Sequence, residues 1–302
     1  MTRAVLLFVL IVSLAAAQAP PAGREGPARG AVQGRLTWFD RQGNRVGTIG
    51  ETGAYRTLQV SRDGKHVAAE RSEPGTQTRN IWVFDSAGAA TRVTTAAAWD
   101  AFPIWSPDGT RIIFTSNRGG TFDLYQKSAD GSGAEELLYK SGEGKGPNSW
   151  SPDGKYLVYY SIGQPTHLRL LAINGPSDRT AIPIVDNQFS SITGRFSPDG
   201  RWILYSSNES GKTEVSARPF DSSTGTIGGP VVVTNDGGRY PLWRGDGKEI
   251  FYMNGEGMVV AMDVTAGKTF GHGTPKPLFK APSGVLFWDV APDGQRFLMP
   301  AP

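Results

Sequence analysis

Six copies of one four-residue turn motif, at nearly constant spacing, constrain the fold of this 302-residue chain more than any other feature. Three copies read Ser-Pro-Asp-Gly, and the other three keep the final Asp-Gly pair. The copies occupy residues 61–64, 106–109, 151–154, 197–200, 244–247 and 291–294, with successive spacings of 45, 45, 46, 47 and 47 residues. A fixed period of this length is typical of propellers and solenoids, in which each repeat is one supersecondary unit. Six copies therefore predict six units.

The chemistry of the motif predicts the tip of a β-hairpin, because Pro presets φ, Asp bonds to nearby backbone and Gly accepts a positive φ. The runs that follow it, such as 112–114, 156–159 and 202–205, are continuously apolar instead of alternating. Strands of that kind are expected where both sheet faces are covered, as in a blade between two neighbouring blades. A third strand recurs at 80–84, 122–126 and 258–262, and a more polar fourth follows. We therefore predict an all-β, six-bladed β-propeller with four antiparallel strands per blade.

The two ends of the chain predict how the ring closes. After the last motif only 296–299 remain before Pro300-Ala301-Pro302, so the sixth repeat has two strands. The strand-like segments 36–40 and 46–49 precede the first complete repeat. We expect these two hairpins to form one two-plus-two blade, which removes the open edges of an incomplete ring. The alternative is that the chain is a shortened relative of a longer protein.

The N-terminus has the pattern of a secretory signal, with Arg3 before an apolar run at 4–14 and three alanines at 15–17. The run is shorter than the roughly 20 residues of a membrane-spanning helix, although an uncleaved anchor is the alternative. Residues 1–17 are therefore interpreted as a signal peptide, 18–34 as a tether rich in Pro, Gly and Ala, and 35–302 as the propeller. This predicts a periplasmic or secreted protein without stable membrane insertion after cleavage.

Composition narrows the partners. The chain has no cysteine, so it offers neither disulfides nor thiolate metal ligands. Its 31 basic and 28 acidic residues give a net charge of only +3, without the basic run that follows a phosphate backbone. We therefore expect no nucleic acid, cofactor or metal, and a monomer that binds an envelope or secreted protein.

Two stretches carry a family resemblance: Pro-Ile-Trp-Ser-Pro-Asp-Gly at 103–109 and Gly-Arg-Phe-Ser-Pro-Asp-Gly-Arg-Trp at 194–202. They resemble the TolB-like six-bladed propellers, relatives of the WD-repeat class. The order of motifs is most similar to propellers found C-terminal to bacterial serine/threonine kinase domains, here without the kinase. The resemblance implies the fold strongly and a protein-binding or sensory role in the cell envelope more weakly. The Tol-associated member has a separate domain before its propeller, where this chain has only the tether.

Candidate binding residues are those that enter each predicted innermost strand, a few places before the motif. Their mixture of arginines and aromatic rings is typical of interface hot spots, whereas packing between blades is the plain alternative for each of them. The set consists of Tyr55, Arg56, Asp100, Phe102, Asn148, Arg195, Arg239, Tyr240, Phe287, Trp288 and Asp289. Because no Gly-x-Ser-x-Gly motif and no catalytic triad are evident, we expect no enzyme. The alternative is a channel-centred, metal-dependent lactone or ester hydrolase, or a carbohydrate-binding propeller.

Overall fold

The computed structural model describes residues 31–174, 180–185 and 187–302, and within these ranges the regular structure is entirely β. None of these residues forms a helix long and apolar enough to cross a membrane. The predicted signal peptide and residues 18–30 of the tether lie outside the described residues. The first strand begins at Val32, so residues 32–34 of the predicted tether pair within the sheet instead.

Pairings group the described strands into antiparallel units of four or five strands, each numbered here by its turn motif. The chain's first described strand is β1 (Val32–Asp40), and β2 (Arg45–Val60) follows it. Unit one comprises the second half of β2 with β3 (His66–Ser72), β4 (Arg79–Asp85) and β5 (Ala90–Arg92). Unit two comprises β6 (Asp100–Trp105), β7 (Arg111–Gly119), β8 (Thr121–Ser128) and β9 (Glu136–Tyr139). Unit three comprises β10 (Gly144–Trp150), β11 (Tyr156–Ile162), β12 (Leu168–Ala172) and β13 (Ile182–Pro183).

The remaining strands complete the ring. Unit four comprises β14 (Ser191–Phe196), β15 (Trp202–Ser207), β16 (Glu214–Asp221), β17 (Thr226–Ile227) and β18 (Val231–Val232), of which the last two both pair with β16. Unit five comprises β19 (Arg239–Trp243), β20 (Glu249–Met253), β21 (Met258–Ala266), β22 (Phe270–His272) and β23 (Lys276–Lys280). The last two strands are β24 (Asp289–Val290) and β25 (Arg296–Ala301).

Ring closure follows the two-plus-two prediction. β1 pairs on one side with β25, from Arg35 opposite Ala301 to Asp40 opposite Arg296, and on the other side with β2. Because β24 pairs with β25, unit six consists of β24, β25, β1 and the first half of β2. The second half of β2 is the innermost strand of unit one, so one continuous strand joins both units. Each innermost strand contacts the next, and β24 contacts β2.

The hydrophobic core lies between the units. The buried apolar residues of the described chain form six clusters, and each cluster combines side chains from two adjacent units. In one of them Leu36 and Leu298 of unit six pack with Val67 and Phe84 of unit one. This explains the apolar runs, because both faces of each sheet are covered. The predicted all-β propeller fold is confirmed.

The turn motifs have one repeated geometry. In the first four, the Ser hydroxyl donates to Oδ1 of the Asp two residues later, at 2.5–2.6 Å. The same Asp oxygen accepts the backbone N–H two residues further on, at 3.0–3.1 Å. The glycines have φ between 71° and 77°, which costs other residues free energy. These contacts begin and end within the turn, so the motif builds each hairpin locally.

The innermost strands of units one to five each contain a one-residue β-bulge. In unit two, Ala101 and Ile104 are three residues apart, yet they pair with Thr115 and Ile113, which are two apart. Corresponding shifts occur in β2, β10, β14 and β19. A bulge breaks the alternation of a strand and re-aims the inserted side chain. Here the bulges lie at the positions that face the axis of the ring.

Candidate functional site

An aromatic cluster lies on the axis of the ring. The Phe102 ring packs edge-on against Tyr160, with centroids 5.5 Å apart, and against Phe287 at 5.7 Å. Phe287 also contacts Tyr240, at 6.1 Å. Phe102 belongs to unit two and Phe287 follows unit five, so unit one lies between their positions on the ring. Rings from such positions can meet only at the centre, and we call these four residues the axial cluster.

Two arginines flank the axial cluster. Arg56 lies within the bulge of β2, and Arg239 directly precedes the bulge of β19. The Arg56 guanidinium carbon lies 5.3 Å from the centroid of Phe102 and 5.5 Å from that of Phe287. Arg239 lies over Tyr240 at 5.6 Å. Among the described residues neither guanidinium has a hydrogen-bond or ion-pair partner, and the Nε atom of each is buried. Buried donors without acceptors are costly, so these arginines are prepared for an acceptor from outside.

Strained backbone holds two of the rings in place. Phe102 and Tyr240 both have φ of 55°, in the left-handed region that bulky residues rarely adopt. Each such residue costs on the order of 1–3 kcal/mol, and strain of this kind is concentrated at functional sites. Phe102 N–H donates to the Thr57 hydroxyl at 3.1 Å, which in turn donates to Glu70 at 2.6 Å. Unit one thereby fixes the strained residue of unit two.

Tyr160 is the member of the axial cluster that the sequence-based prediction missed. It lies on β11, the second strand of unit three, and pairs with Gly146. A Cβ atom on Gly146 would lie only 2.3 Å from the Tyr160 ring, so the tyrosine covers a position where a side chain cannot exist. Burial raises the pKa of Tyr160, so its hydroxyl stays neutral. The available signal was that, of the residues five places before each motif, Gly146 alone is a glycine.

Three other candidates lie nearer the turn motifs and connect neighbouring units. Oδ1 of Asn148 accepts the Gly194 N–H at 3.1 Å, and the backbone carbonyl of Asn148 accepts a hydrogen bond from Nη1 of Arg195 at 2.7 Å. Asp289 accepts Val60 N–H at 2.8 Å and Val290 N–H at 2.9 Å. Burial raises the pKa of Asp289, against the opposing charge of Arg195. Asn148 and Asp289 therefore act between units, and neither joins the axial cluster.

The remaining three candidates are core residues, which corrects their predicted position at the channel. Tyr55 is fully buried against Phe84, and its hydroxyl donates to the Glu51 carbonyl at 2.8 Å. Asp100 is fully buried and accepts from Arg118 at 2.9 Å. Trp288 packs on Phe297 inside a cluster between units. Tyr55 and Asp100 lie before the bulges of their strands, which change which residues face the axis, and Trp288 directly precedes β24.

A cavity of about 430 Å³ occupies the axis on the turn-motif side of the axial cluster. Residues of all six repeats line it, including Trp105, Trp150 and Trp243, whereas no member of the axial cluster does. Arg195 and Asp289 are its charged wall residues beneath the motifs. The axis therefore offers two separate surfaces, the arginine–aromatic surface (Arg56, Arg239 and the axial cluster) and this motif-side cavity.

Among the described residues no group of three or more His, Asp or Glu side chains is arranged to hold a metal ion. The axial arginines and rings offer hydrogen-bond donation, positive charge and aromatic stacking. That chemistry suits recognition of acidic and apolar groups.

The family model described as "TolB beta propeller domain" matches residues 48–180. Together with the ring of antiparallel units, this decides the family resemblance. Over this segment the chain is TolB-like. A putative TolB of known structure from Agrobacterium tumefaciens superimposes with a TM-score of 0.66 at 18% identity, covering 89% of this chain and 97% of that one.

Two curated relatives match part of this TolB-like propeller. The Tol-Pal system protein TolB of Bordetella pertussis is 29% identical over 165 residues, covering 54% of this chain and 36% of the relative. The uncharacterized peptidase YuxL of Bacillus subtilis is 26% identical over 203 residues, covering 54% of this chain and 31% of the relative. The match thus spans about a third of each of these two relatives.

Proposed function

We propose that this TolB-like propeller is a non-catalytic binding module, periplasmic or secreted, that holds an acidic segment of a protein partner on the arginine–aromatic surface. The observation that carries the proposal is the pair Arg56 and Arg239, which lie over aromatic rings without an acceptor among the described residues. Arginine and aromatic residues dominate interface hot spots.

The charge and the rings define the partner's chemistry. A carboxylate of the partner would give each guanidinium the acceptor that it lacks, and apolar neighbours of that carboxylate would contact the rings. Hydrogen bonds between charged groups are about twice as strong as neutral ones, particularly away from water. The relative named for the Tol-Pal system supports an envelope setting.

Selection of binding peptides from a random display library on the immobilised protein tests this function. We expect the enriched peptides to contain Asp or Glu beside an apolar residue, and to bind the Arg56→Gln/Arg239→Gln variant about tenfold more weakly or worse. Arg201→Gln is the matched control, because this exposed arginine pairs with Asp199 at a turn motif. Peptides without acidic enrichment, or equal binding to the double variant, would contradict the proposal.

A hydrolase remains the second candidate because one partial relative is named a peptidase. A panel of small esters, lactones and peptides, assayed with and without added calcium, discriminates the two functions. Turnover that disappears in an axial-cluster variant would favour the hydrolase. Binding without turnover would favour the module.

A further inference from the structure

The motif-side cavity contains a cation, Arg195, that makes no direct ion pair among the described residues. Arg195 lines the cavity, and its guanidinium donates to one acceptor, the backbone carbonyl of Asn148, at 2.7 Å. It forms no ion pair with any residue in the described part of the chain. Burial lowers the pKa of Arg195, although the charge of Asp289 opposes this effect. Removing a guanidinium from water without an anionic contact is unfavourable unless a ligand supplies one.

The carboxylates in the cavity wall already have donors of their own. Both oxygens of Asp289 accept backbone N–H groups, from Val60 and Val290. Asp246 accepts two hydrogen bonds from Arg244, at 2.7 and 2.8 Å. Neither is within ion-pair distance of Arg195. Arg195 therefore has no direct carboxylate contact, whereas both wall carboxylates have donors.

Three tryptophans, one each from units two, three and five, form part of the wall, and their indole N–H groups are occupied. Trp105 donates to the Gln59 carbonyl at 3.1 Å, Trp150 to Gly154 at 3.0 Å and Trp243 to Arg195 at 3.2 Å. With their polar atoms engaged, these tryptophans offer the cavity apolar ring surface. Cavities of this size that combine apolar surface with polar groups are typical of small-molecule sites.

A second arginine lies at the rim. Arg62 occupies the motif position that is proline in four of the six copies, and its side chain is exposed. Its guanidinium donates to the Pro198 carbonyl at 2.8 Å, reaching from unit one to unit four on the opposite side of the ring. The one motif with an arginine at this position therefore places positive charge over the cavity opening.

We propose that the motif-side cavity binds a small organic monocarboxylate, with its carboxylate against Arg195 and its apolar body among Trp105, Trp150 and Trp243. Arg62 closes over the ligand and adds a second donor. This site goes beyond the proposed function, because it lies on the other side of the axial cluster from Arg56 and Arg239. The propeller then carries a small-molecule site and a protein-binding surface on one axis.

Titration of the purified protein with benzoate, phenylacetate and 3-phenylpropanoate, each beside its neutral amide, tests the site. The readout is the indole N–H resonances in two-dimensional NMR spectra. At least one carboxylate is expected to shift the resonances of Trp105, Trp150 or Trp243 and to bind at least tenfold more tightly than its amide. If none of the three carboxylates shifts these resonances at about 10 mM, or if carboxylate and amide bind equally, the proposal is wrong.

Two variants distinguish this site from the arginine–aromatic surface. Arg195→Gln should weaken carboxylate binding at least tenfold, and Arg62→Gln, which alters only an exposed side chain, several-fold. Arg239→Gln is the matched control and should leave carboxylate binding unchanged while it weakens the acidic peptides. Unchanged carboxylate affinity in Arg62→Gln and in folded Arg195→Gln would overturn the site and leave the protein-binding proposal standing. If Arg195→Gln does not fold, Arg62→Gln alone decides.

Discussion

The turn motifs and the axial positions four or five residues before them belong to the same six repeats but behave in opposite ways. At the motifs, the same Ser–Asp–backbone contacts recur in four units. At the axis, four residues before each motif, the chain places Thr57, Phe102, Pro147, Thr193, Tyr240 and Phe287. Repetition therefore identifies the residues that build the hairpins, and variation identifies the residues available for recognition.

The same contrast appears in how far the contacts reach. A motif Asp bonds within its own turn, whereas Asp289 bonds to a strand of the next unit and Phe102 contacts rings from two other units. Energetic coupling between units should therefore depend on the axial strands more than on the turns. The following predictions test this difference, from the largest expected effect to the smallest.

Asp289→Ala should lower the free energy of unfolding by about 3 kcal/mol, because two buried N–H groups lose their acceptor. Chemical denaturation checks this value. Asp293→Ala is the matched control at the adjacent motif, where the carboxylate accepts only the Gln295 N–H in an exposed turn. Equal losses of unfolding free energy in both variants would contradict the claim that axial contacts stabilise the protein more than motif contacts do.

Gly146→Ala should destabilise the protein by about 2 kcal/mol, because the new Cβ collides with the Tyr160 ring and expels it from the axial cluster. The melting temperature and the tyrosine near-ultraviolet circular dichroism report this change. Gly142→Ala adds a Cβ where no atom lies within 4 Å, and it should have little effect. An unchanged Tyr160 environment in Gly146→Ala would show that the ring tolerates displacement.

Asp108→Ala should lower the free energy of unfolding by about 1 kcal/mol, because the Ser106 hydroxyl and the Thr110 N–H lose a shared acceptor in an exposed turn. Asp293→Ala should cost less, because Ala291 replaces the Ser of its motif and donates no hydroxyl. Denaturation curves of the two variants, measured together, rank them. The reverse ranking would mean that the Ser–Asp bond does not stabilise the motif.

Low pH should reduce the stabilisation that the motif carboxylate of Asp108 provides. The Ser106 hydroxyl, followed by Thr110, lowers the pKa of Asp108 from 3.8 to about 2. Because the folded-state pKa is below the unfolded value, this stabilisation is present above pH 3.8 and is lost as the pH falls towards about 2. The small stability difference between the wild type and Asp108→Asn should therefore narrow over that interval. A difference that stays constant from pH 5 to about 2 would contradict the assignment.

The repeated features of this fold could be predicted from the sequence because they are local. Period, turn chemistry and apolar runs predicted the antiparallel units, and the strand count predicted that β1 would pair with β25. The propeller was predicted to begin at residue 35 and its first strand at 36, whereas β1 begins at Val32, because residues 32–34 have no apolar pattern of their own.

The positions of the candidate residues were predicted in part. Arg56, Phe102, Arg239, Tyr240 and Phe287 do come together, because equivalent positions in a ring converge on its axis. Tyr55, Asp100 and Trp288 do not join them. A bulge or a strand end changes which side chains of a strand face the axis, and composition does not reveal where that change occurs. Tyr160 comes from a different strand, and only its pairing with Gly146 connects it to the axis.

Hydrogen–deuterium exchange of the protein, with and without a selected acidic peptide, tests the central claim most directly. The claim is that the axial residues bind the partner and that the motifs stabilise the hairpins. We expect added protection at 55–58, 100–103, 238–241 and 286–288, and unchanged exchange at the motif residues 106–109 and 151–154. Protection confined to the motifs or the outer strands, with these axial segments unchanged, would contradict the account.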